Sequence, residues 1–538
     1  MAGQVDGLLL GTSGTSEVRM LPGSATRHGF VAGAPGTGTT VTLQVLAEAF
    51  SDIGVPVFAT DTSGKLAGMS RPGGGDAAVD RRVQKLALDA AWLHAGYPVT
   101  LWDALGAHGH PARTTVSKLG PLLLSRMLNL NEVQEAVLTV TFRVADENGL
   151  LLLDTKDLRA MLKYAADHAN EISTTFGSVS VASIGTIQRA LLQFEERGGV
   201  RLLGEPALDV MDLLQTEARA PSWPGTGGAP SWPGPRGTRA PRGTINLLAA
   251  ERLVTSRRAY SALLLWLLTE LCDRLPEAAD DAANPALVVL IDDAHLLFED
   301  APPPLIDTVD QLLRSLSSRG VGVFLATENP VDLPERVLCH LGTKVQHALR
   351  DYTPRDERRI TAASELLRSN PAFLTEVVIT ALAPGEALVS VLAEDGTPSR
   401  AERTVMVPPH AHLGPITAEA RRALCANSPM AGRYDVAVDR ESAYEVLKVR
   451  SDAAAEAAAV AAEAAAQAKA ALQQARLEAA QARAAAAAER AERASQAHAN
   501  RMIDAAGKSA ARSIGSQVAR TLIRGVLGAA LKTGSTGI

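Results

Sequence analysis

A glycine-rich segment near the start of the chain has the residue types and the setting needed to bind a phosphate group. It spans residues 33–40 and reads GAPGTGTT, between a predicted strand over 27–32 and a predicted helix over 41–50. Glycines let backbone N–H groups curl around an anion, and the helix N-terminus adds partial positive charge. We therefore predict a phosphate loop in which the Thr40 hydroxyl is also a ligand to Mg²⁺. The residues predicted to contact a nucleotide are Gly33, Pro35, Gly36, Thr37, Gly38, Thr39 and Thr40.

The segment departs at one position from the phosphate-loop pattern G-x-x-x-x-G-K-[ST]. Thr39 stands where that pattern has a lysine, whose side chain normally contacts the β- and γ-phosphates. Threonine is uncharged and too short for that contact, so we expect weaker nucleotide binding and slower hydrolysis. Lys65 is a candidate for a relocated cation, with a solvated surface lysine as the alternative. An ordinary glycine-rich turn is the alternative interpretation of the whole segment.

An acidic pair follows a second apolar run. Residues 286–291 are continuously apolar, as in a strand buried on both faces, and Asp292 and Asp293 come directly after them. In such a position Asp292 is expected to hold hydrated Mg²⁺, and Asp293 to polarise the attacking water. Two acids that cap a helix N-terminus are the alternative.

A third predicted strand, over 322–327, ends at Glu328. A polar residue at this strand end is expected to sense the γ-phosphate, but a glutamate adds negative charge there. Two like charges about 4 Å apart repel by about 4 kcal/mol at an effective dielectric of about 20. Further predicted strands over 55–60 and 98–102 complete a parallel sheet with sites at its carboxyl ends.

These motifs belong to a series of blocks in which the sequence resembles the bacterial HerA-like helicase family, relatives of HerA and FtsK. The resemblance implies an α/β, RecA-like P-loop ATPase core, with ATP and Mg²⁺ as ligands. It also implies a homohexameric ring that moves double-stranded DNA through a central channel. The sequence shows no zinc finger and no basic-aromatic platform, so any DNA contact is expected to be non-specific and directed to the backbone. The family has Lys, Glu and Gln where this chain has Thr39, Asp293 and Glu328. The matching blocks are residues 27–48, 109–116, 154–159, 204–207, 292–298, 345–350 and 385–390.

Two functions remain open from the sequence. One is an ATP-driven DNA translocase or helicase in which hydrolysis is impaired; the other is an inert nucleotide-binding ring that regulates an active partner. A ring would supply an arginine to the neighbouring subunit's site, and Arg350 and Arg336 are the candidates. Surface ion pairs are the alternative for both, and are favoured for Arg336.

Composition predicts three parts in the 538 residues: an ATPase domain over 1–440, an alanine-rich helix over 453–500 and an amphipathic basic tail helix over 502–538. A Pro/Gly/Trp-rich repeat over 220–243 is predicted to be a disordered insertion. For the tail, packing on the protein itself, contact with an anionic membrane and binding to DNA phosphates all remain open. The chain lacks a secretory signal and a C-x-x-C pair, which predicts a reduced cytoplasmic protein without membrane insertion or zinc.

Overall fold

The computed structural model describes residues 7–88, 92–106, 108–177, 179–216, 241–279, 283–350 and 353–512. These residues form one large sheet flanked by helices. The strands are β1 (Leu8–Ser13), β2 (Ser16–Met20), β3 (Gly29–Ala32), β4 (Val57–Asp61), β5 (Val99–Asp103), β6 (His110–Pro111), β7 (Ile245–Ala249), β8 (Leu287–Ile291), β9 (Val321–Thr327), β10 (Thr343–His347), β11 (Glu386–Ser390) and β12 (Glu402–Met406).

The α-helices are α1 (Thr39–Asp52), α2 (Ala77–Lys85), α3 (Val116–Met127), α4 (Glu132–Glu147), α5 (Thr155–Asp167), α6 (Ala169–Phe176), α7 (Val181–Glu196), α8 (Arg257–Arg274), α9 (His295–Phe298), α10 (Pro303–Ser318), α11 (Glu335–Leu338), α12 (Pro354–Glu365), α13 (Thr375–Ala381), α14 (Ala418–Ala426) and α15 (Ala443–Arg512). Short 3-10 helices cover Pro22–Arg27, Leu66–Ser70, Gly199–Arg201, Val210–Leu214, Leu253–Thr255 and Pro330–Asp332.

The sheet is parallel through its centre and antiparallel at one side. Its order is β2-β1-β12-β11-β10-β3-β9-β8-β4-β7-β5-β6. Every pairing from β10 to β6 is parallel, whereas the pairings from β10 through β11, β12 and β1 to β2 are antiparallel. The predicted RecA-like α/β fold is confirmed, and the antiparallel strands extend the parallel sheet that the sequence predicted.

Helices cover both faces of the sheet because successive side chains of each central strand point to opposite sides. On β8, Val289 belongs to the core that contains α8, whereas Val288 and Leu290 belong to the core that contains α1. All five residues of β8 are buried, as predicted for a strand that packs on both faces. The strand ends are therefore held firmly, which fixes the loops that follow them.

The chain divides into two compact units, Met1–Val449 and Arg450–Ile538. In the first unit, α15 begins at Ala443, about ten residues before the predicted start of the alanine-rich helix. The Ser442 N–H donates to the Glu445 carboxylate (3.0 Å) and the Tyr444 N–H to Asp157 (2.9 Å). This is an S-x-x-E capping signal that was present in the sequence.

In the second unit, the side chains of residues 450–506 are exposed along α15. Most of the predicted insertion over 220–243 and the tail beyond Arg512 lie outside the described residues, so the predictions made for those residues stay predictions. The last residues of the insertion, 241–243, are described, and the Gly243 N–H donates to the carbonyl of Ser51 (2.9 Å). Among the described residues, none of the helices combines the length and the apolarity needed to cross a membrane.

Candidate functional site

Four neighbouring parallel strands bring the predicted site residues to one edge of the sheet. β3, β9, β8 and β4 lie side by side, and the carboxyl ends of parallel strands meet at the same edge. The glycine-rich loop follows β3, Glu328 follows β9, Asp292 and Asp293 follow β8, and Thr62 follows β4. The topology thus places the predicted loop and the predicted acidic pair at the same edge, two strands apart.

The glycine-rich loop has the backbone of an anion-binding turn. Gly36 and Gly38 have φ values of 78° and 122°, which residues with a Cβ atom rarely adopt. Gly33 is required for a different reason, because a Cβ there would lie 2.5 Å from the Cβ of His347. The first helical backbone bond of α1 runs from the Thr42 N–H to Gly38 (2.9 Å). The N–H groups of the preceding turn have no acceptor within the helix, so they remain for a ligand.

Backbone bonds from three neighbouring segments hold this loop in place. The N–H of Gly33 donates to the carbonyl of Thr327 at the end of β9 (3.1 Å), and the N–H of Ala34 donates to Ala348 beyond β10 (2.9 Å). On the other side, the Gly385 N–H donates to the carbonyl of Thr37 (2.8 Å). The loop is therefore fixed by the sheet before any ligand binds.

A buried histidine supports the first turn of α1. His347 Nδ1 lies 2.9 Å from the carbonyl oxygen of Glu386 and its Nε2 lies 2.9 Å from the Thr42 hydroxyl. Because a carbonyl only accepts, Nδ1 carries the proton and Nε2 accepts from Thr42. Burial lowers the pKa of His347 to about 4, so the ring is neutral at pH 7. The residue was part of the family resemblance, but its contact with α1 was not predicted.

The two aspartates after β8 share a hydroxyl from the end of β4. The Thr62 Oγ1 lies 3.0 Å from Asp292 Oδ2 and 2.9 Å from Asp293 Oδ2, so it can donate to either. Asp292 is buried, and its N–H donates to the Thr60 hydroxyl (2.8 Å). Burial, followed by the nearby charge of Asp293, raises the pKa of Asp292 to about 7. Thr62 is a site residue that sequence reasoning did not identify.

More carboxylates surround this pair. Burial, and then the charge of Glu251 beyond β7, raises the pKa of Asp61 to about 6, and Asp61 also repels Asp292. Arg421 lies 3.7 Å from Glu251, and it is the one side-chain cation paired with these four acids in the described ranges. The crowded carboxylates fit a site for an added cation.

These residues suit Mg²⁺ better than a metal ion that takes all of its ligands from the protein. The described residues contain no cluster of three or more His, Cys, Asp or Glu side chains arranged around a metal position. Mg²⁺ commonly takes only one or two protein oxygens and completes its shell with water and phosphate. The sequence assigns this ion to Asp292 and the Thr40 hydroxyl, and that assignment stays a prediction.

The remaining predicted residues differ in their surroundings. Glu328 is exposed, next to the Thr327 carbonyl that anchors the loop. Arg350 is half-buried and donates to the Thr380 carbonyl (3.3 Å). Arg336 forms an exposed ion pair with Asp307, which is the alternative favoured for it. Lys65 is exposed and lies four residues beyond β4. Strand β4 itself is three strand spacings, ~14 Å, from β3.

The chain is similar to one family of proteins over most of its length and to several solved structures. The model of the family described as Helicase HerA-like C-terminal matches residues 8–222 and 235–534. Among solved structures, VirB4 of Thermoanaerobacter pseudethanolicus is 14% identical over 78% of this chain and 99% of its own, with a TM-score of 0.45. The bacterial conjugative coupling protein TrwB is 13% identical over 75% of this chain and 92% of its own, with a TM-score of 0.47.

A smaller structure, the genome packaging NTPase B204 from Sulfolobus turreted icosahedral virus 2, is 15% identical over 30% of this chain and 68% of its own, with a TM-score of 0.21. Structures of TrwB contain a non-hydrolysable GTP analogue or ADP with Mg²⁺. These similarities concern the fold alone. No protein of curated function matches the sequence significantly.

Proposed function

The chain belongs to the Helicase HerA-like C-terminal family, and from this premise we propose that it binds ATP with Mg²⁺ and hydrolyses it slowly. In this proposal it works as a homohexameric ring on double-stranded DNA, as the family resemblance implies. The observation that carries the proposal is the glycine-rich loop, whose backbone keeps an anion-binding form although its lysine position is Thr39.

Binding is assigned mainly to the backbone. Within the loop, the N–H groups of Gly33, Ala34 and Thr37 are already bonded to carbonyls. The N–H groups of Gly36, Gly38 and the first turn of α1 are the donors offered to the phosphates, and they need no side-chain charge.

The hydrogen bonds that join the loop to Thr327, Ala348 and Gly385 hold it in this form. Little conformational entropy is therefore lost when a nucleotide binds. Nucleotide binding therefore does not depend on the lysine alone.

Mg²⁺, when bound, neutralises charge on the β- and γ-phosphate oxygens. In the proposal Asp292 and the Thr40 hydroxyl hold the ion, and Thr62 orients the carboxylate of Asp292 through its hydroxyl. Asp293 takes the role of orienting the attacking water. Its φ of 50° turns it away from the strand direction, and aspartate adopts this backbone region more readily than most residues.

Hydrolysis is slow in this proposal because positive charge is missing where negative charge develops. Thr39 offers no cation to the γ-phosphate, and Glu328 adds a carboxylate next to the loop anchor at Thr327. Loss of a preorganised electrostatic group of this kind costs about 100- to 1,000-fold in rate. Arg350 is the candidate for an arginine supplied to the neighbouring subunit, since Arg336 is engaged with Asp307.

A second candidate function is an inert nucleotide-binding ring that regulates an active partner. The observation that favours it is the concentration of departures from the family at the reacting groups, at Thr39, Asp293 and Glu328, while the loop backbone is intact. Both functions require nucleotide binding, and they differ in whether the bound ATP is hydrolysed.

The test combines calorimetric titration with MgATP and steady-state hydrolysis, with and without double-stranded DNA at several salt concentrations. Binding with slow, DNA-stimulated turnover supports the translocase, and binding without turnover supports the inert ring. Absence of binding contradicts both.

Gly38→Ala is the variant that ties binding to the loop, because a side chain at this φ strains the turn. Gly149→Ala is its matched control, at a φ of 64° with open space around it and outside the site. We expect Gly38→Ala to weaken MgATP binding by about tenfold or more and Gly149→Ala to leave it unchanged.

A further inference from the structure

Helix α2 carries a guanidinium to the turn that is bonded to the phosphate loop. Arg82 Nη1 donates to the carbonyl of Gly385 (2.7 Å) and its Nη2 to the carbonyl of Pro384 (2.8 Å). The same Gly385 donates its N–H to Thr37 (2.8 Å), and its nitrogen lies 3.4 Å from where a Cβ of Gly38 would be. A single residue, Gly385, therefore separates the Arg82 charge from the loop.

Arg82 can approach this closely because residue 385 is a glycine. A Cβ on Gly385 would lie 2.7 Å from Arg82 Nη2, and Gly385 has a φ of 76°. Both the contact and the backbone conformation require glycine at this position. The guanidinium and the turn that bonds the loop thus form one packed unit.

The charge around this unit is unbalanced. The carboxylate of Glu386 accepts from Arg403 Nη2 (2.8 Å) and lies 3.5 Å from Lys85 Nζ. In the described ranges no carboxylate oxygen lies within 4 Å of Arg82, although it pairs with two carbonyls. Three cations, Arg82, Lys85 and Arg403, therefore surround one acid beside the phosphate loop.

Arg82 also retains donors. A guanidinium has five N–H groups, and the two bonds to carbonyls engage two of them. Arg82 is half-buried, and burial lowers its pKa while the charge of Glu386 raises it. Arginine nevertheless stays charged at all ordinary pH values, so a half-buried cation stands beside the anion-binding turn without an anion of its own.

We infer that Arg82 supplies the positive charge that the phosphate loop lacks at Thr39, and that its free donors bind the phosphates of a nucleoside di- or triphosphate. This inference rests on the proposed function and names one residue of the same site. Lys65, the cation that the sequence suggested, follows β4, which is separated from β3 by two strands and lies ~14 Å from it. Arg82 is bonded instead to the residue that holds the loop.

The alternative role for Arg82 is a clamp that only fixes the turn at Gly385. The two roles differ in what a lysine would do at this position. Lysine keeps the charge but has no planar fork, so it cannot bond the carbonyls of Pro384 and Gly385 in the same two-pronged way. A clamp therefore fails with lysine, whereas a charge donor is largely kept.

The experiment measures MgADP binding by calorimetry for the full chain and the variants Arg82→Gln and Arg82→Lys, since ADP avoids turnover. Arg81→Gln is the matched control, because Arg81 is the adjacent residue of α2, has the same charge and is exposed. We expect Arg82→Gln to weaken binding about tenfold or more, Arg82→Lys by less than about fivefold, and Arg81→Gln not at all. Thermal denaturation checks that each variant folds.

A double-mutant cycle with Thr39→Lys gives a readout that a clamp would not change. If Arg82 replaces the missing charge, Arg82→Gln should cost less than about threefold once a lysine is present at residue 39. An equal cost in both backgrounds, or equal failure of the Gln and Lys variants, assigns Arg82 to the turn alone and overturns the inference. Should Arg82→Gln not fold, the same cycle is run with Arg82→Met, which also removes the charge, and with the same criterion.

The two proposals fail in different ways. Unmodified protein that binds neither MgADP nor MgATP overturns the proposed function and this inference with it. If Arg82→Gln binds MgADP as tightly as the unmodified protein does, the role of Arg82 is overturned and the proposed function still stands.

Discussion

The two sides of the candidate site carry opposite charge surpluses. On the loop side, the three cations Arg82, Lys85 and Arg403 lie around the carboxylate of Glu386. They outnumber the two acids on that side, Glu386 and the exposed Glu328 next to Thr327. On the side of β8 and β4 the surplus is negative, with Arg421 paired to one of four crowded acids. The acids on that side are Asp61, Glu251, Asp292 and Asp293.

This difference in charge indicates which groups of the site depart from the family. A magnesium nucleotide presents phosphate anions and a cation, and the two sides have the matching opposite charges. The family's lysine is lost at Thr39, but positive charge remains close to the loop, on α2. The departures from the family therefore affect the groups that act on the γ-phosphate more than those that bind the nucleotide.

The largest expected effect concerns turnover. If the loop side of the site binds the nucleotide but lacks positive charge at the γ-phosphate, ATP hydrolysis should be slow. The unmodified protein should hydrolyse ATP about 100- to 1,000-fold more slowly than enzymes of ordinary turnover. Steady-state phosphate release with saturating MgATP, with and without double-stranded DNA, measures this rate. Turnover of about 1 per second or faster would break the comparison, because the charge at Thr39 would then be dispensable.

The second prediction concerns the neutral histidine beneath the loop. Burial lowers the pKa of His347 from 6.5 to about 4, so below pH 6.5 the unfolded chain binds a proton that the folded chain resists. Stability from this residue is present above pH 6.5 and is lost as pH falls through about 4, by up to about 3 kcal/mol. Denaturant unfolding of the unmodified protein and of His347→Gln, between pH 7 and pH 4, measures the difference.

Comparing the two proteins at each pH removes contributions from other groups, among them His28, whose pKa burial also lowers to about 4. The stability advantage of the unmodified protein over His347→Gln should shrink as the pH falls. A constant difference would mean that the ring accepts a proton without cost, which contradicts its neutral role in supporting α1.

The third prediction restores the family residue. Thr39→Lys should raise MgATP affinity about threefold, and about tenfold in the Arg82→Gln background, because charge-assisted hydrogen bonds to phosphate contribute more than neutral ones and Arg82 already supplies part of the charge. Calorimetric titration of both proteins is the measurement, and Thr39→Gln serves as a control of similar length without charge. Equal affinities of the three proteins would show that another cation already fills the role completely.

Lys65 provides the smallest expected effect. Its side chain is exposed and follows β4, on the acidic side of the site. Lys65→Ala should therefore change MgADP affinity by less than about twofold, whereas Arg82→Gln changes it strongly. A large loss with Lys65→Ala would reverse the assignment of the relocated charge.

The parts of the site that the sequence predicted are local in the chain. A strand, a glycine loop and a helix follow one another within residues 27–50, and an apolar run leads directly into Asp292. Their patterns are therefore readable without tertiary information. The same patterns predicted that the central strands run parallel, but not their order in the sheet.

The parts that were missed are brought together only by the fold. Arg82 and Gly385 are about 300 residues apart in sequence, and Thr62 meets Asp292 because β4 and β8 are neighbours. No local pattern marks such pairs. The earlier start of α15 was different, since the sequence contained its capping signal at Ser442 and Glu445.

The most direct test of the central claim is a calorimetric titration of the unmodified full chain with MgATP. The account predicts saturable binding to each chain despite Thr39, because the loop backbone and the cations beside it are retained. Absence of binding by the unmodified protein, together with binding by Thr39→Lys under the same conditions, would show that the lysine was indispensable and contradict the account.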